Sequence, residues 1–455
     1  MKNKFLLLPI LMATTLSGCG HTHTFKETWT FNESEHWHEA TCEHTGEVKD
    51  RGKHDFNEVY DCKICGYSGF GNRLYFIVDE PEFMKGSDYL ANVLNVPQTI
   101  IDLLPEGLDL YKYTFVYKSK DIHNNPCIMS AALTIPYIDG EPSVKALVVD
   151  SHPTLTDLKE APTAHWDKYL INAFASNAIL QCDLMGFGVQ SDKISDYHCR
   201  HLANRNTVDG ILSCFDILDE KFSVKSNDLP LYNIGYSQGG YTSMALLRYM
   251  EEEATENEKD RIKITKTISG SGAYDINVMF DECFRIENYQ YCQYLIKGIL
   301  TTHEYHPDAY GSIKVEDYLT DYGKEFLDPL IRKDGAKLDK VLKAVDEKGY
   351  PKYQGPKSVF NQEYLNPESD LNKAVVKACE YENLLDGNWF PEGDLDLYYS
   401  KGDTMVTPKC TEKAIELFKD KENVEVYESL LEIDHREYGT VFYISTLLEF
   451  LSKNF

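Results

Sequence analysis

Three short stretches of this chain carry residue types whose combination performs acyl transfer. The first is Gly235-Tyr-Ser237-Gln-Gly239-Gly240, a G-x-S-x-G pattern set between a β-rich run and an amphipathic run. A serine raised on a strand-to-helix turn adopts a strained backbone conformation. Only small residues two positions to either side then avoid a clash. Gly235 and Gly239 meet that need, and Gly240 lets the helix begin close against the sheet. The helix N-terminus beneath Ser237 places a positive dipole where an oxyanion would form. The second stretch is Tyr399-Ser-Lys-Gly-Asp403-Thr-Met-Val406-Thr-Pro408, and the third is Glu432-Ile-Asp434-His435. In this chemistry Ser237 Oγ attacks an acyl carbon and His435 takes its proton. Asp403 orients the imidazole and stabilises its charged form. Taken singly, each residue has an ordinary explanation. Asp403 could cap a helix, His435 could sit on a solvated loop, and Asp434 competes for the place of the acid. Asp434 adjoins the histidine and would point elsewhere, so Asp403 is the expected orienter.

The elements that must position these residues are readable from residue 108 onward. Leu110 to Tyr117 alternates and is rich in β-formers, and Cys127 to Pro136 follows the turn at Asn124-Asn-Pro126. Together they predict an antiparallel hairpin. Ala146-Leu-Val-Val149 and Ala178-Ile-Leu180 are apolar runs, as expected of parallel strands covered on both faces, and Leu229 to Ile234 and Ile262 to Ile268 are the next strands. A helix is expected from Gly239 to about Glu252. Residues 275–390 interrupt the alternation with aromatic, charged and mostly helical sequence. It resumes with the strand Leu395 to Tyr399, a helix Thr411 to Phe418, the strand Val424 to Tyr427 and a last helix from about Arg436 to Leu451. Upstream, Tyr89 to Leu104 has a helical pattern ending near Pro105 and Gly107.

With serine, acid and histidine in this order on these elements, the chain resembles the α/β-hydrolase superfamily over roughly residues 108–455. The long lead-in and the helical insertion are similar to the secretory-lipase and related bacterial esterase branch. The resemblance implies an α/β fold whose mostly parallel central sheet is flanked by helices, with a helical cap insertion. It implies ester hydrolysis through an acyl-enzyme with no cofactor for catalysis. Two N–H donors are needed for the oxyanion. Gln238, which follows the nucleophile, supplies one. The other is expected after the Ala146 to Val149 strand, where Ser151-His152-Pro153-Thr154 stands in place of the His-Gly common in relatives. Proline has no N–H, so Thr154 is the candidate. Asp183-Leu-Met-Gly186-Phe-Gly188 resembles a turn common in the same superfamily and is expected to be a tight loop with no chemical role. Tyr197-His198-Cys199-Arg200-His201 resembles no metal site, and helix-surface packing is expected there. Peptide hydrolysis uses the same triad, and a degenerate surface binding protein is a third reading. The intact serine, acid and histidine argue against that last one.

The first seventy residues differ in character. Met1-Lys-Asn-Lys gives a positive start and Phe5 to Met12 a short apolar run, the form of a secretory signal. Leu16-Ser17-Gly18-Cys19 resembles a bacterial lipobox, which implies removal of residues 1–18 and lipid on the Cys19 thiol. An ordinary signal peptide with a chance cysteine is the alternative. Residues 19–70 hold six of the fourteen histidines and almost no aliphatic side chains, too little to build a core unaided. Cys62-Lys-Ile-Cys65-Gly has zinc-knuckle spacing. The stretch resembles small His/Cys modules of bacterial surface proteins. A zinc-ribbon-like module with a structural zinc on Cys42, His54, Cys62 and Cys65 is expected, with His36, His38 and His44 as competing ligands. A disulfide is the alternative. His23-Thr-Phe and His54-Asp-Phe suggest two degenerate copies of one unit.

The expected domains are therefore 1–18, 19–70, a hydrolase core in two parts (71–274 and 391–455), and the cap 275–390. A net charge of −27 repels nucleic acid and anionic membranes, so neither is an expected electrostatic partner. The expected partners are a small-molecule ester and, through lipid at Cys19, a membrane. That places the protein outside the cytoplasm as an anchored bacterial lipoprotein. Among twelve cysteines, Cys182 and Cys214 are expected as buried small hydrophobes, and Cys283 with Cys292 as the pair most suited to a bridge.

Overall fold

The computed structural model describes residues 22–32, 34–44, 46–57, 61–67, 75–78, 80–98 and 107–453. The signal-like segment and Cys19 lie outside them. The chain divides into two compact units between Asn72 and Arg73, two residues beyond the expected boundary.

The larger unit is built on an eleven-stranded sheet whose main path runs β14-β13-β12-β11-β9-β10-β7-β6-β4. Its strands are β4 (Tyr75–Ile77), β5 (Glu82–Lys85), β6 (Leu108–Lys120), β7 (Pro126–Ile138), β8 (Glu141–Pro142), β9 (Ala146–Ser151), β10 (Asn177–Cys182), β11 (Leu231–Tyr236), β12 (Ile264–Gly270), β13 (Leu395–Tyr399) and β14 (Val424–Glu428). From β10 to β14 every pairing on the path is parallel, whereas β10 meets β7, and β7 meets β6, antiparallel. The sheet is thus mixed: a parallel half that carries the candidate site and an antiparallel half made from the expected hairpin. Strand β9 shows why the parallel half consists of apolar runs. Leu147 and Val149 enter one core cluster and Ala146 and Val148 another, so both faces are covered. Helix Arg200–Phe222 supplies the first cluster and helix His435–Lys453 the second.

Between β12 and β13 the chain forms a run of helices, the longest being Ile276–Arg285, Cys292–Tyr305 and Asp370–Glu380. They share a core with Tyr241 and Met244 of helix Gln238–Glu252, which anchors the insertion on the elbow helix. Strand β11 begins two residues later than expected, because a 3-10 turn occupies Ser226–Asp228, and it runs on to Tyr236.

Two expectations fail here. The helix expected over Tyr89 to Leu104 is a short turn, Gly86–Asp88, continued as a wider turn, Tyr89–Val93. Asn95 then takes a left-handed φ of 56° and Pro97 follows, which interrupts the helix; Gln98 is helical again, and residues 99–106 lie outside the described ones. Nor do Cys283 and Cys292 form a bridge. Both are free thiols. Cys283 Sγ packs 3.9 Å from Met279 Sδ, and Cys292 Sγ lies 3.9 Å from the Tyr289 carbonyl. Each thiol is buried in helix packing, and Cys182 and Cys214 are buried as expected. Among the described residues no helix is long and apolar enough to cross a membrane.

The smaller unit has an antiparallel sheet of β1 (Thr30–Phe31), β2 (Glu35–Glu39) and β3 (Val48–Lys53) in that order. Its buried side chains among those described are His36 and Cys62. A core of one imidazole and one thiol accords with the scarcity of aliphatic residues.

Candidate active site and metal-ligating clusters

Strand β11 ends at Tyr236, and Ser237 turns the chain into helix Gln238–Glu252 with φ 63° and ψ −120°. A non-glycine residue in that region stores strain, which surrounding packing must hold. The packing leaves no room for a side chain nearby. A Cβ on Gly235 would overlap the Gly239 carbonyl, and one on Gly239 would overlap the carbonyl of Ser151. The Ser237 N–H donates to the Gly270 carbonyl at the end of β12 (2.8 Å), fixing the turn from the other side.

His435 opens the last helix, and its Nε2 lies 2.8 Å from Ser237 Oγ. Its Nδ1 lies 2.6 Å from Asp403 Oδ2. The other carboxylate oxygen of Asp403 accepts from the N–H groups of Met405 (2.9 Å) and Val406 (2.8 Å), so the acid is held at both oxygens. All three side chains are buried: Ser237 and Asp403 are 7% exposed and His435 is 3% exposed. Asp434 turns away and accepts from the N–H and hydroxyl of Thr404. The structure therefore brings together Ser237, His435 and Asp403 and separates Asp434 from them.

The loop after β9 lies against the start of the elbow helix, as the close approach of Ser151 to Gly239 requires. Among the described residues, neither the Gln238 N–H nor the Thr154 N–H is paired with a carbonyl. His152 is buried, with Nδ1 2.8 Å from the Pro153 carbonyl and Nε2 3.3 Å from the Asp183 carbonyl. Burial lowers its pKa to about 4, so the ring is neutral at pH 7. The Asp183 turn is a structural hub. Its buried carboxylate accepts from the Ser130 hydroxyl and from the N–H and hydroxyl of Thr163. Tyr197, His198 and Cys199 are also interior rather than on a helix surface. They form the buried turn before Arg200, while His201 pairs with Glu253 outside.

Two residues with close contacts to this machinery were not evident in the sequence. The Tyr236 hydroxyl donates to the His435 carbonyl (2.7 Å), tying the residue before the serine to the histidine. Lys297, from the inserted helix Cys292–Tyr305, donates from Nζ to the Leu155 carbonyl (2.6 Å), one residue beyond Thr154. The ammonium faces the rings of Tyr197 (5.0 Å) and Phe187 (5.3 Å), and burial lowers its pKa to about 7. A tyrosine inside the G-x-S-x-G pattern was the available signal for the first. Nothing local marks Lys297, whose partner lies far away in the chain.

In the smaller unit, His36, His54, Cys62 and Cys65 offer ligand atoms that all lie within 4.8 Å of one another. Cys62 Sγ is 3.7 Å from His36 Nδ1, and Cys65 Sγ is 3.5 Å from His54 Nδ1. Zinc bonds of ~2.3 Å to sulfur and ~2.0 Å to nitrogen give tetrahedral S···N edges of about 3.6 Å, so a metal ion could be held here. His54 Nε2 is 2.8 Å from the Asn32 carbonyl, which orients the ring with Nδ1 inward. The expected ligand set needs one correction. Cys42 stands apart with His23 and His44, and His36 takes its place. Strand β2 puts His36 in the interior and the bridge between Phe56 and Cys62 puts Cys62 there, whereas Cys42 lies past the end of β2. His38 is excluded too, since it stacks on Trp29 with Nδ1 3.2 Å from the Thr28 carbonyl.

No protein-family model matches the chain, and no curated protein matches it. Solved structures do. A putative hydrolase from Legionella pneumophila superposes with a TM-score of 0.66 at 18% identity, over 82% of this chain and 97% of the other. The rice cell wall degrading esterase LipA from Xanthomonas oryzae gives 0.63 at 17% identity, over 83% and 96%. Candida antarctica lipase A gives 0.57 at 14% identity, over 83% and 82%. At these identities the likeness establishes the fold: a central mixed sheet flanked by helices with a helical insertion, the α/β-hydrolase fold.

Proposed function

We propose that the unit spanning residues 73–455 hydrolyses carboxylic esters through a Ser-His-Asp triad. The observation that carries this reading is the buried relay from Ser237 Oγ to His435 (2.8 Å) and on to Asp403 (2.6 Å), built around a serine with positive φ. Esterase and lipase structures of the same fold support it at the level of architecture. In acylation, Ser237 Oγ bonds to the acyl carbon and its proton passes to His435 Nε2. The ester C–O bond then breaks and His435 returns that proton to the departing alcohol. Water reverses the sequence and frees the acid. The Gln238 and Thr154 N–H groups serve the oxyanion, and Asp403 keeps the His435 proton at Nδ1 in the resting state. The His36, His54, Cys62 and Cys65 cluster holds a structural zinc with no part in catalysis. The chain is exported and anchored through lipid on Cys19.

Steady turnover of a short-chain aryl ester by the full chain tests the activity. Ser237→Ala should lower it by several orders of magnitude with the fold intact, and should abolish labelling by a fluorophosphonate. Near-parental ester turnover by Ser237→Ala would remove the assignment. Cleavage of peptides in preference to esters would move the enzyme to the peptidase class. Fatty-acid labelling that persisted in Cys19→Ser would refute the anchor.

A further inference from the structure

The smaller unit repeats one backbone frame twice. In the first copy the Thr41 N–H donates to the Thr24 carbonyl and the Lys26 N–H to the Glu39 carbonyl. In the second, the Lys63 N–H donates to the Asp55 carbonyl and the Asn57 N–H to the Asp61 carbonyl. The residues of the first arm, Thr24 and Lys26 or Asp55 and Asn57, stand at the same offsets from the leading histidine, His23 or His54, and their partners on the second arm, Thr41 and Glu39 or Lys63 and Asp61, keep the same spacing. Isolated bridges Phe25↔Ala40 and Phe56↔Cys62 fall in the same register. The second copy is the one that carries Cys62 and Cys65 with His54.

The first copy carries its own ligands at other positions of this frame: Cys42 falls where the second copy has Ile64, and Cys62 where the first has Ala40. Cys42 directly follows Thr41, and its Sγ is 3.5 Å from His23 Nδ1 and 4.0 Å from His44 Nδ1. The ligand atoms of the three lie within 4.8 Å of one another. The shorter distance equals the Cys65–His54 spacing and matches the roughly 3.6 Å edge of a tetrahedral zinc site. The rings of His23 and His44 are 5.1 Å apart and near perpendicular, so two nitrogens and one sulfur converge from different directions.

We propose that His23, Cys42 and His44 form a second site for a divalent cation, with zinc the fitting ion, loaded independently of the His36, His54, Cys62, Cys65 site. Two imidazoles and one thiolate suit a borderline-soft ion and disfavour magnesium or calcium, which take oxygen ligands. The fourth position falls to a group outside these three. Cys42 is half-buried and His44 exposed, so this site is more open than its partner and should exchange its ion faster.

The test is zinc content by mass spectrometry on the full chain, loaded with zinc and dialysed against metal-free buffer. Two zinc ions per chain are expected, and one in each of His44→Ala, Cys42→Ser and Cys65→Ser. Cobalt in place of zinc should lose roughly a third of its thiolate charge-transfer absorption in Cys42→Ser, since one thiolate of three is removed. A single zinc in the parent chain would overturn the proposal, as would two retained by both His44→Ala and Cys42→Ser. Loss of both ions from His44→Ala would overturn independent loading. Two ions retained in Cys65→Ser would instead count against the first site alone.

Discussion

Asp434 holds Thr404. Its carboxylate accepts from the Thr404 N–H (3.1 Å) and hydroxyl, which ties the residue before His435 to the residue after Asp403. Ser400 adds a second tie: its hydroxyl donates to the Ile433 carbonyl (2.6 Å) and accepts from the Ile433 N–H (3.0 Å). Acid loop and histidine loop are thus one hydrogen-bonded piece. Asp434→Ala should lower kcat on an aryl ester by about tenfold with little change in KM, far less than the ~10⁴-fold expected of Asp403→Asn. A larger loss in Asp434→Ala than in Asp403→Asn would show that Asp434, not Asp403, serves the histidine.

From the insertion, Lys297 holds the loop that carries Thr154, the proposed second oxyanion donor. Lys297→Met keeps the apolar stem but leaves the buried Leu155 carbonyl without its donor, at a cost of about 1–3 kcal/mol. The loop carrying Thr154 should loosen. Fluorophosphonate labelling of Ser237 should slow by about tenfold or more, with substrate KM altered less. An unchanged labelling rate would mean that the loop is held without Lys297.

Stability should respond to pH through Asp196. Burial raises its carboxyl pKa to about 7, with only partial relief from the Met185 N–H and the neighbouring Lys297 charge, and Glu382 adding to the rise. An unfolded aspartate titrates near 3.9. Between about pH 4 and 7 the folded chain therefore holds a proton that the unfolded chain has released. The stabilisation is full below about pH 4 and is lost as pH rises through 7. Asp196→Asn should remove that dependence. The difference in melting temperature between variant and parent should grow in the variant's favour from pH 4 to pH 7 and then level off. A difference independent of pH would place the carboxyl at its ordinary value.

Metal removal should separate the two units. Chelation should unfold the smaller unit, which has almost no apolar core, and make it sensitive to limited proteolysis. Ester turnover by the same sample should persist, since Ser237, His435 and Asp403 belong to the larger unit and pair with one another. Loss of turnover on chelation would show that catalysis depends on a metal.

What was legible in the sequence was local or doubly buried. Parallel strands β9 and β10 appear as apolar runs because both their faces are covered, and the spacing Gly235-x-Ser237-x-Gly239 records a steric requirement within five residues. Order along the chain was enough to select Asp403 and His435, the residues that the structure places beside Ser237. Pairings between remote segments left no such record. The contact of Tyr236 with His435, and that of Lys297 with Leu155, depend on how the sheet and the insertion close. The His/Cys clusters show the same limit. Residue types pointed to His54, Cys62 and Cys65, but the fold sets His36 beside them and Cys42 with His23 and His44. The helix expected after Tyr89 failed on a single left-handed asparagine.

Strands β12 and β13 are immediate neighbours in the sheet, paired Thr267↔Leu395 through Gly270↔Tyr398, although the whole insertion separates them in the chain. A segment that leaves and re-enters a sheet between adjacent strands can change length and sequence without shifting the strands. A laboratory graft at this junction would therefore deliver a new helical insertion to an unaltered Ser237 turn. The exchange is not unconstrained. Any incoming segment must also bring a donor for the Leu155 carbonyl, which Lys297 now provides. Chimeras built at Ser271 and Asp394 would inherit their chemistry from the sheet and the grip on their oxyanion loop from the donor.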